Sequence, residues 1–207
     1  MTGDLGRWEP WTPRQVVERF HRDGVRDPWW IAGGYAIELF TGRSLRPHAD
    51  IDVVVLRRDQ RLVHRLLRGW DLQAADPPGR LRPWPVGETL PGHVHDVWCR
   101  EAPDSPWRIQ FMIDEADGGW WRSRRDPAVT LPLARFGRRT HEGWPYLAPE
   151  VQLYYKAMPE GQRAKDEIDF AAALAHLDGP ARRWLDDALD VTIPDHHWRA
   201  ALKPQLD

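Results

Sequence analysis

Apolar positions along the chain fall into two regimes. Up to residue 114 they come in short runs broken by Gly and Pro, whereas from Ala148 onward they recur at helical spacing. Val16, Val17 and Phe20 form an apolar stripe over residues 12–23, where Thr12 suits an N-cap, Pro13 the first helical position and Gly24 the end. Trp29–Ala32 reads as a short buried strand, Gly33-Gly34 as a tight turn, and Tyr35–Phe40 as a helix ending at Gly42. The β-branched residues Ile51, Val53, Val54 and Val55 mark 46–56 as a strand. Asp59 is expected to cap a helix running to Leu67, and Trp70–Ala75 to form the next strand. The Pro- and Gly-rich stretch 76–93 predicts a loop with at most one short strand. Two extended runs, 93–100 and 107–114, flank a long connection containing APDSP and are expected to pair as an antiparallel hairpin. Short strands and loops are expected over 115–147.

The C-terminal segments APEVQLYYKAM, RAKDEIDFAAALAHLD, PARRWLDDALD and DHHWRAAL each read as a helix, with Pro149 and Pro180 at starts and Gly161 and Gly179 at breaks. Phe170, Leu174 and Leu177 carry the 3–4 spacing of a buried face. The chain is therefore expected to be α+β: a mixed sheet with flanking helices over residues 1–147, then a helical bundle over 148–207. There is no internal repeat and no low-complexity tract.

Composition narrows the function classes. At 207 residues, 42% apolar and 29% charged, the chain is globular. No apolar run is long enough for a membrane span, and MTGDLGRWEPW has no apolar core of a signal peptide, so no membrane partner and a cytoplasmic location are expected. The single cysteine, Cys99, excludes an internal disulfide framework and a Cys-rich zinc site; mid-strand, it is expected to be a buried small hydrophobe. A net charge of −2 argues against an extended nucleic acid as partner. The basic residues are 26 Arg and only 3 Lys, a bias that fits GC-rich codon usage and makes Lys156 and Lys165 stand out.

Asp50 and Asp52 are the sharpest chemical feature. Two residues apart on a strand, they share a face with a spacing of roughly 7 Å, while Ile51 and Val53 point to the other side. Neighbouring carboxylates repel unless a cation lies between them, and a hard divalent ion such as Mg²⁺ suits such a pair. The plainer alternative is a solvated strand end. Gly33-Gly34, about 17 residues earlier, is either an ordinary left-handed turn or a place where a phosphate approaches the backbone at a helix N-terminus.

Taken together, Trp30-Ile31-Ala32-Gly33-Gly34-Tyr35-Ala36-Ile37, then Gly42-Arg43, then Arg46-Pro47-His48-Ala49-Asp50-Ile51-Asp52 resemble the nucleotidyltransferase superfamily that includes DNA polymerase beta. The match is to its small antibiotic-modifying members, the aminoglycoside 2″- and lincosamide-adenylyltransferase type. The block spans about 30 of the 207 residues, with a weaker likeness in LAPEVQLYYKA and RAKDEIDF. The resemblance implies a nucleotidyltransferase-like fold and transfer of a nucleoside monophosphate from a nucleoside triphosphate to a hydroxyl. It implies Asp50 and Asp52 as Mg²⁺ ligands, and Gly33 and Gly34 as the triphosphate cradle. Lys156 would face the phosphates. Arg46 either steadies them or pairs locally with Asp50 or Asp52, and Lys156 has the alternative of a solvated helix face.

The resemblance also implies a third acidic residue on a later strand, and the position for it here is Gln110. Glutamine is neither a base nor a good metal ligand. Asp114, on the same face of an unbroken strand but roughly 13 Å on, is the first substitute; Glu115, Asp117 and Asp96 are lesser ones. Asp166 and Asp169, sharing a helical face, are expected to form structural ion pairs. His48 reads as a hydrogen-bonding loop residue and His196-His197 as surface. Trp84, Trp120 and Trp121 either wall an acceptor pocket or belong to the core.

The expected function is a metal-dependent nucleotidyltransferase, with ATP the expected donor and an aminoglycoside or lincosamide antibiotic as hydroxylated acceptor. Its nucleotide would lie in a cleft between the two parts of the chain. Two alternatives stay open: a nucleotide-binding protein whose catalysis is weakened or lost, and a toxin-like transferase acting on RNA or protein.

Overall fold

The computed structural model describes residues 5–25, 28–157 and 163–203. In chain order the elements are α1 (Pro13–Arg22), β1 (Trp29–Ile31), α2 (Gly33–Thr41), β2 (Asp52–Leu56), α3 (Arg61–Leu66), β3 (Asp71–Ala75), β4 (Leu81–Pro83), β5 (Asp96–Arg100) and β6 (Ile109–Asp117). They continue with β7 (Trp120–Arg122), β8 (Thr130–Pro132), α4 (Leu133–Phe136), β9 (Gly137–Arg139), β10 (Pro145–Leu147), α5 (Pro149–Lys156), α6 (Ala164–Leu174), α7 (Gly179–Thr192) and α8 (Trp198–Leu202). The protein is mixed α+β, and it divides into two compact units that interleave in sequence: 1–31 with 48–116, and 32–47 with 117–207.

The first unit is a sheet with strand order β4-β3-β5-β6-β2-β1. β2 and β6 run parallel, and the other neighbours in the unit are antiparallel. Alternation gives the sheet two unlike faces. Ile51, Val53, Val55, Ile109, Phe111, Ile113, Val97, Cys99, Leu72 and Ala74 make one buried apolar face. Helix α1 lies on it, with Phe20 stacked on Phe111 at 6.1 Å between ring centres. Thr12 and Gln15 form a reciprocal capping box at the start of α1. Arg19 donates to the Leu66 carbonyl at 2.8 Å and so ties α1 to α3. The opposite face of the sheet carries Asp52, Gln110, Trp98 and Gln73 in one row.

In the second unit α5 is buried along its whole length. It packs against α2, α6 and α7. Trp121 fills the space beside it, among Phe136, Tyr154, Tyr155 and Trp184. The Arg125 guanidinium closes the helix by donating to the carbonyls of Tyr154, Tyr155 and Ala157 at 2.5–2.7 Å, a cation at the negative end of a helix.

Several expectations shift at element ends. The strand expected over 46–56 is regular only from Asp52; Ile51 joins the ladder through its carbonyl, and Pro47 and the bends around it keep the residues before it out of the strand. The range of α2 begins at Gly33 itself, whose positive φ of 65° makes the turn that opens the helix. Asp59 does not cap α3: it closes a 3-10 turn, Arg57–Asp59, and α3 starts after Gln60 with no side-chain cap. Residues 115–147 hold four short strands and a helical turn among the described residues. The break assigned to Gly161 lies outside the described residues.

Candidate active site

Asp50, Ile51 and Asp52 enter the sheet of the first unit as half-buried, buried, half-buried. The Ile51 carbonyl accepts the Gln110 N–H at 3.0 Å, so the ladder with β6 begins there. Ile51 is in the core, and Asp52, the first residue of β2, lies on the polar face with Gln110, while Asp50 precedes the strand and is half-buried. Asp52 lies directly beside Gln110, and Gln110 beside Trp98. The Gln110 side chain donates from Nε2 to Oδ1 of Asp96 on β5 at 3.0 Å.

Asp114 is not brought to this cluster. Strand β6 runs unbroken from Ile109 to Asp117 and pairs Asp114 with Leu56, at the far end of β2 from Asp52. Glu115 is engaged by Arg57. Asp117 is exposed and faces Arg122 at 3.4 Å.

In the second unit Gly33 has φ +65°, a left-handed conformation that glycine adopts without a Cβ clash. Its N–H donates to Oε1 of Gln152 at 2.7 Å, so a side chain from α5 caps the first donor of α2. Glu38 near the end of α2 accepts the N–H groups of Leu45 and Arg46 at 2.6 and 3.3 Å, which sets the path of the following loop. Arg46 then grips Asp169, with Nε–Oδ1 at 3.2 Å and Nη2–Oδ2 at 2.9 Å. Lys156 is buried rather than solvated: its Nζ lies 2.7 Å from Asp169 and 3.1 Å from Asp166. Arg163 adds a bond to Asp166 at 2.6 Å. Burial pushes the Asp166 carboxyl up, but Arg163 and Lys156 together outweigh that and hold it below the usual carboxylate range. Both cations that the resemblance assigns to phosphate thus have Asp169 as a partner.

Gln152 and Asp169 are the positioning residues that sequence reasoning passed over or left without partners. Their partners lie 119 and 123 residues away. The local signal was a glutamine and an aspartate that share helix faces with apolar residues such as Phe170 and Ala173.

Among the described residues no three His, Cys, Asp or Glu side chains converge as a metal site. Asp50 and Asp52 nevertheless suit Mg²⁺, which takes one or two protein carboxylates and completes its shell with water and phosphate oxygens. Of the tryptophans, Trp84 and Trp121 are core residues, while Trp120 is half exposed. Cys99 is buried, and burial pushes its thiol well above the ordinary range. His196 is buried beside Trp198 rather than on the surface. A cavity of about 700 Å³ in the first unit is lined by His64, Leu67, Trp70, Leu72 and Trp84 among others; Trp84 is the candidate pocket tryptophan it includes, and none of the candidate metal or phosphate residues contributes to it. No helix among the described residues is long and apolar enough to cross a membrane.

Comparison with known proteins bears on the same segment. Residues 14–76 match the family model described as aminoglycoside-2″-adenylyltransferase. No curated protein sequence matches the chain. Among solved structures, the lincosamide antibiotic adenylyltransferase LnuA with lincomycin bound is similar at 16% identity and a TM-score of 0.52, over 77% of this chain and 92% of that one. ANT(2″)-Ia in complex with adenylyl-2″-tobramycin is similar at 14% identity and a TM-score of 0.52, over 86% and 95%. The solution structure of ANT(2″)-Ia gives 16% identity and 0.54, over 90% and 95%. At such identities these likenesses establish the fold. Residues 14–76 thus carry a sequence likeness to the aminoglycoside-2″-adenylyltransferase family, and the wider chain shares the fold of these antibiotic adenylyltransferase structures.

Proposed function

We propose that the chain is a metal-dependent nucleotidyltransferase that moves a nucleoside monophosphate from ATP to a hydroxyl of an antibiotic of the aminoglycoside or lincosamide class, in the cytoplasm. The observation that carries this reading is Asp52 at the start of β2 on the polar face of the sheet, with Asp50 two residues before it and Ile51 buried between them, inside the segment that the family model matches. The bound antibiotics of the similar structures, lincomycin in LnuA and the tobramycin adduct in ANT(2″)-Ia, support the acceptor class.

Each residue has a defined task in this reading. Asp50 and Asp52 hold a Mg²⁺ ion, which when bound neutralises triphosphate charge and favours departure of pyrophosphate. Gly33 and Gly34 let a phosphate approach the start of α2, where helix N–H groups and the helix dipole favour an anion. Since the Gly33 N–H already donates to Gln152, that bond fixes the turn and the donors after it face the ligand. Arg46 and Lys156 contribute positive charge from an anchored position, because Asp169 holds both.

A second reading, a nucleotide-binding protein without turnover, is favoured by one observation: the residue beside Asp52 in the ladder is Gln110 and not an acid. Incubation with Mg²⁺, labelled ATP and a panel of aminoglycosides and lincosamides separates the two. Acceptor-dependent pyrophosphate release that disappears in Asp52→Asn supports the transferase. Tight ATP binding with no release for any acceptor supports the second reading.

A further inference from the structure

Transfer to a hydroxyl releases a proton, and a carboxylate on the Asp52 face of the sheet is the natural group to take it. The register lists the choices. Asp71 is tied to Arg100 at 2.7 Å. Glu115 is engaged by Arg57. Asp114 stands beside Leu56 at the far end of β2. Asp96 remains. It pairs with Met112 on β6, one step along from the Trp98–Gln110 pair, and period-2 geometry puts it on the same face as Gln110 and Asp52. Two strand spacings and two residues along the ladder separate it from Asp52, about 12 Å between backbones, which leaves room for a reacting phosphate and an incoming hydroxyl between the two carboxylates. Among the described residues no Arg, Lys or His pairs with Asp96; its partner is the Gln110 amide at 3.0 Å.

Resting on the transferase reading above, we infer that Asp96 is the general base for the acceptor and that Gln110 is its positioning residue. Gln110 stands beside Asp52 without a charge of its own, and its amide hydrogen bond fixes one oxygen of the β5 carboxylate. In the step, the acceptor O–H bond breaks and its proton passes to the Asp96 carboxylate. The oxygen forms a bond to the α-phosphorus, and the bond from that phosphorus to the β-phosphate oxygen breaks, its electron pair leaving with pyrophosphate.

The test compares wild type, Asp52→Asn, Asp96→Asn and the swap Asp96→Asn/Gln110→Asp. It measures acceptor-dependent pyrophosphate release, equilibrium binding of Mg·ATP and thermal unfolding. Asp96→Asn is expected to lower kcat by about 100-fold or more, with Mg·ATP affinity and unfolding midpoint unchanged. The swap, which moves the carboxylate one strand over, is expected to recover activity about 10-fold over Asp96→Asn alone, an effect that a merely structural aspartate would not give. If Asp96→Asn keeps wild-type kcat while Asp52→Asn loses it, this inference falls and the transferase reading stands. The inference falls as well if Asp96→Asn loses stability or Mg·ATP binding and the swap recovers nothing. A wild-type chain that releases no pyrophosphate with any acceptor overturns the transferase reading itself, and the role of Asp96 with it.

Discussion

Arg46 meets Asp169 in a two-point contact, Nε to Oδ1 at 3.2 Å and Nη2 to Oδ2 at 2.9 Å, and the Asp169 side chain is fully buried. The same carboxylate holds the buried Lys156 ammonium at 2.7 Å. One aspartate on α6 thereby fixes both the loop that leads to Asp50 and the end of α5. Removing it takes a carboxylate from both cations and leaves the buried Lys156 with Asp166 as its remaining acidic partner at 3.1 Å. Asp169→Ala is therefore expected to cost about 3–5 kcal/mol, the range for breaking a buried ion pair from one side. Urea unfolding of the two proteins measures this, and a loss below about 1 kcal/mol would mean that the cluster opens to solvent without penalty.

The Asp50–Asp52 pair makes a separate prediction about metal. A ligand that binds only the folded state raises its stability by mass action, about 2.7 kcal/mol at one hundred times Kd. Mg²⁺ or Mn²⁺ is expected to raise the unfolding temperature of the wild type by several degrees, an effect reversed by EDTA. Asp50→Asn and Asp52→Asn are expected to show little of this shift. An equal shift in all three proteins would place the metal elsewhere.

Much of this arrangement was legible in the sequence where it depended on local periodicity. The β-branched run after Ile51 marked the strand that carries Asp52, and the alternation of Ile109, Phe111 and Ile113 fixed the face of Gln110. The fold class followed from the same patterns, as the structure and its solved neighbours bear out. What was not legible depended on register or on distant contacts. The bond from Gln110 to Asp96 needs the β5–β6 alignment, which an irregular connection of eight residues leaves open in sequence. The Gly33–Gln152 and Arg46–Asp169 contacts join residues more than one hundred positions apart, and no local pattern encodes them.

The start of α2 offers a backbone test. Gly33 combines φ +65° with an N–H bonded to Gln152. An alanine there meets the left-handed conformation with a Cβ, at a cost of about 1–2 kcal/mol. Gln152→Ala removes the acceptor and leaves that N–H without its cap, at about 1–3 kcal/mol. Because both changes act on one turn, the double variant is expected to lose less than the sum, which a double-mutant cycle of denaturant midpoints measures. Full additivity would show that the turn does not depend on Gln152.

Glu150 provides the pH test. It lies in the first turn of α5, almost fully buried, with Arg138 Nη2 at 3.2 Å from Oε2. Burial pushes its carboxyl above the usual carboxylate range, and Arg138 pulls it back only in part. A raised folded value means that, above the unfolded value of about 4.3, the native state binds more protons than the unfolded chain. Stability from this group therefore falls as pH rises through that window, the reverse of Asp166, whose depressed carboxyl gives stability that is lost as the solution is acidified. Glu150→Gln removes the titration and leaves an amide able to accept from Arg138. At pH 7 the variant is expected to match or exceed wild-type stability by up to about 1 kcal/mol, and the difference is expected to close near pH 4. Urea unfolding of both proteins across pH 4–7 checks the sign. A variant less stable than wild type at pH 7 would mean that the Arg138 attraction outweighs the cost of burying the charge.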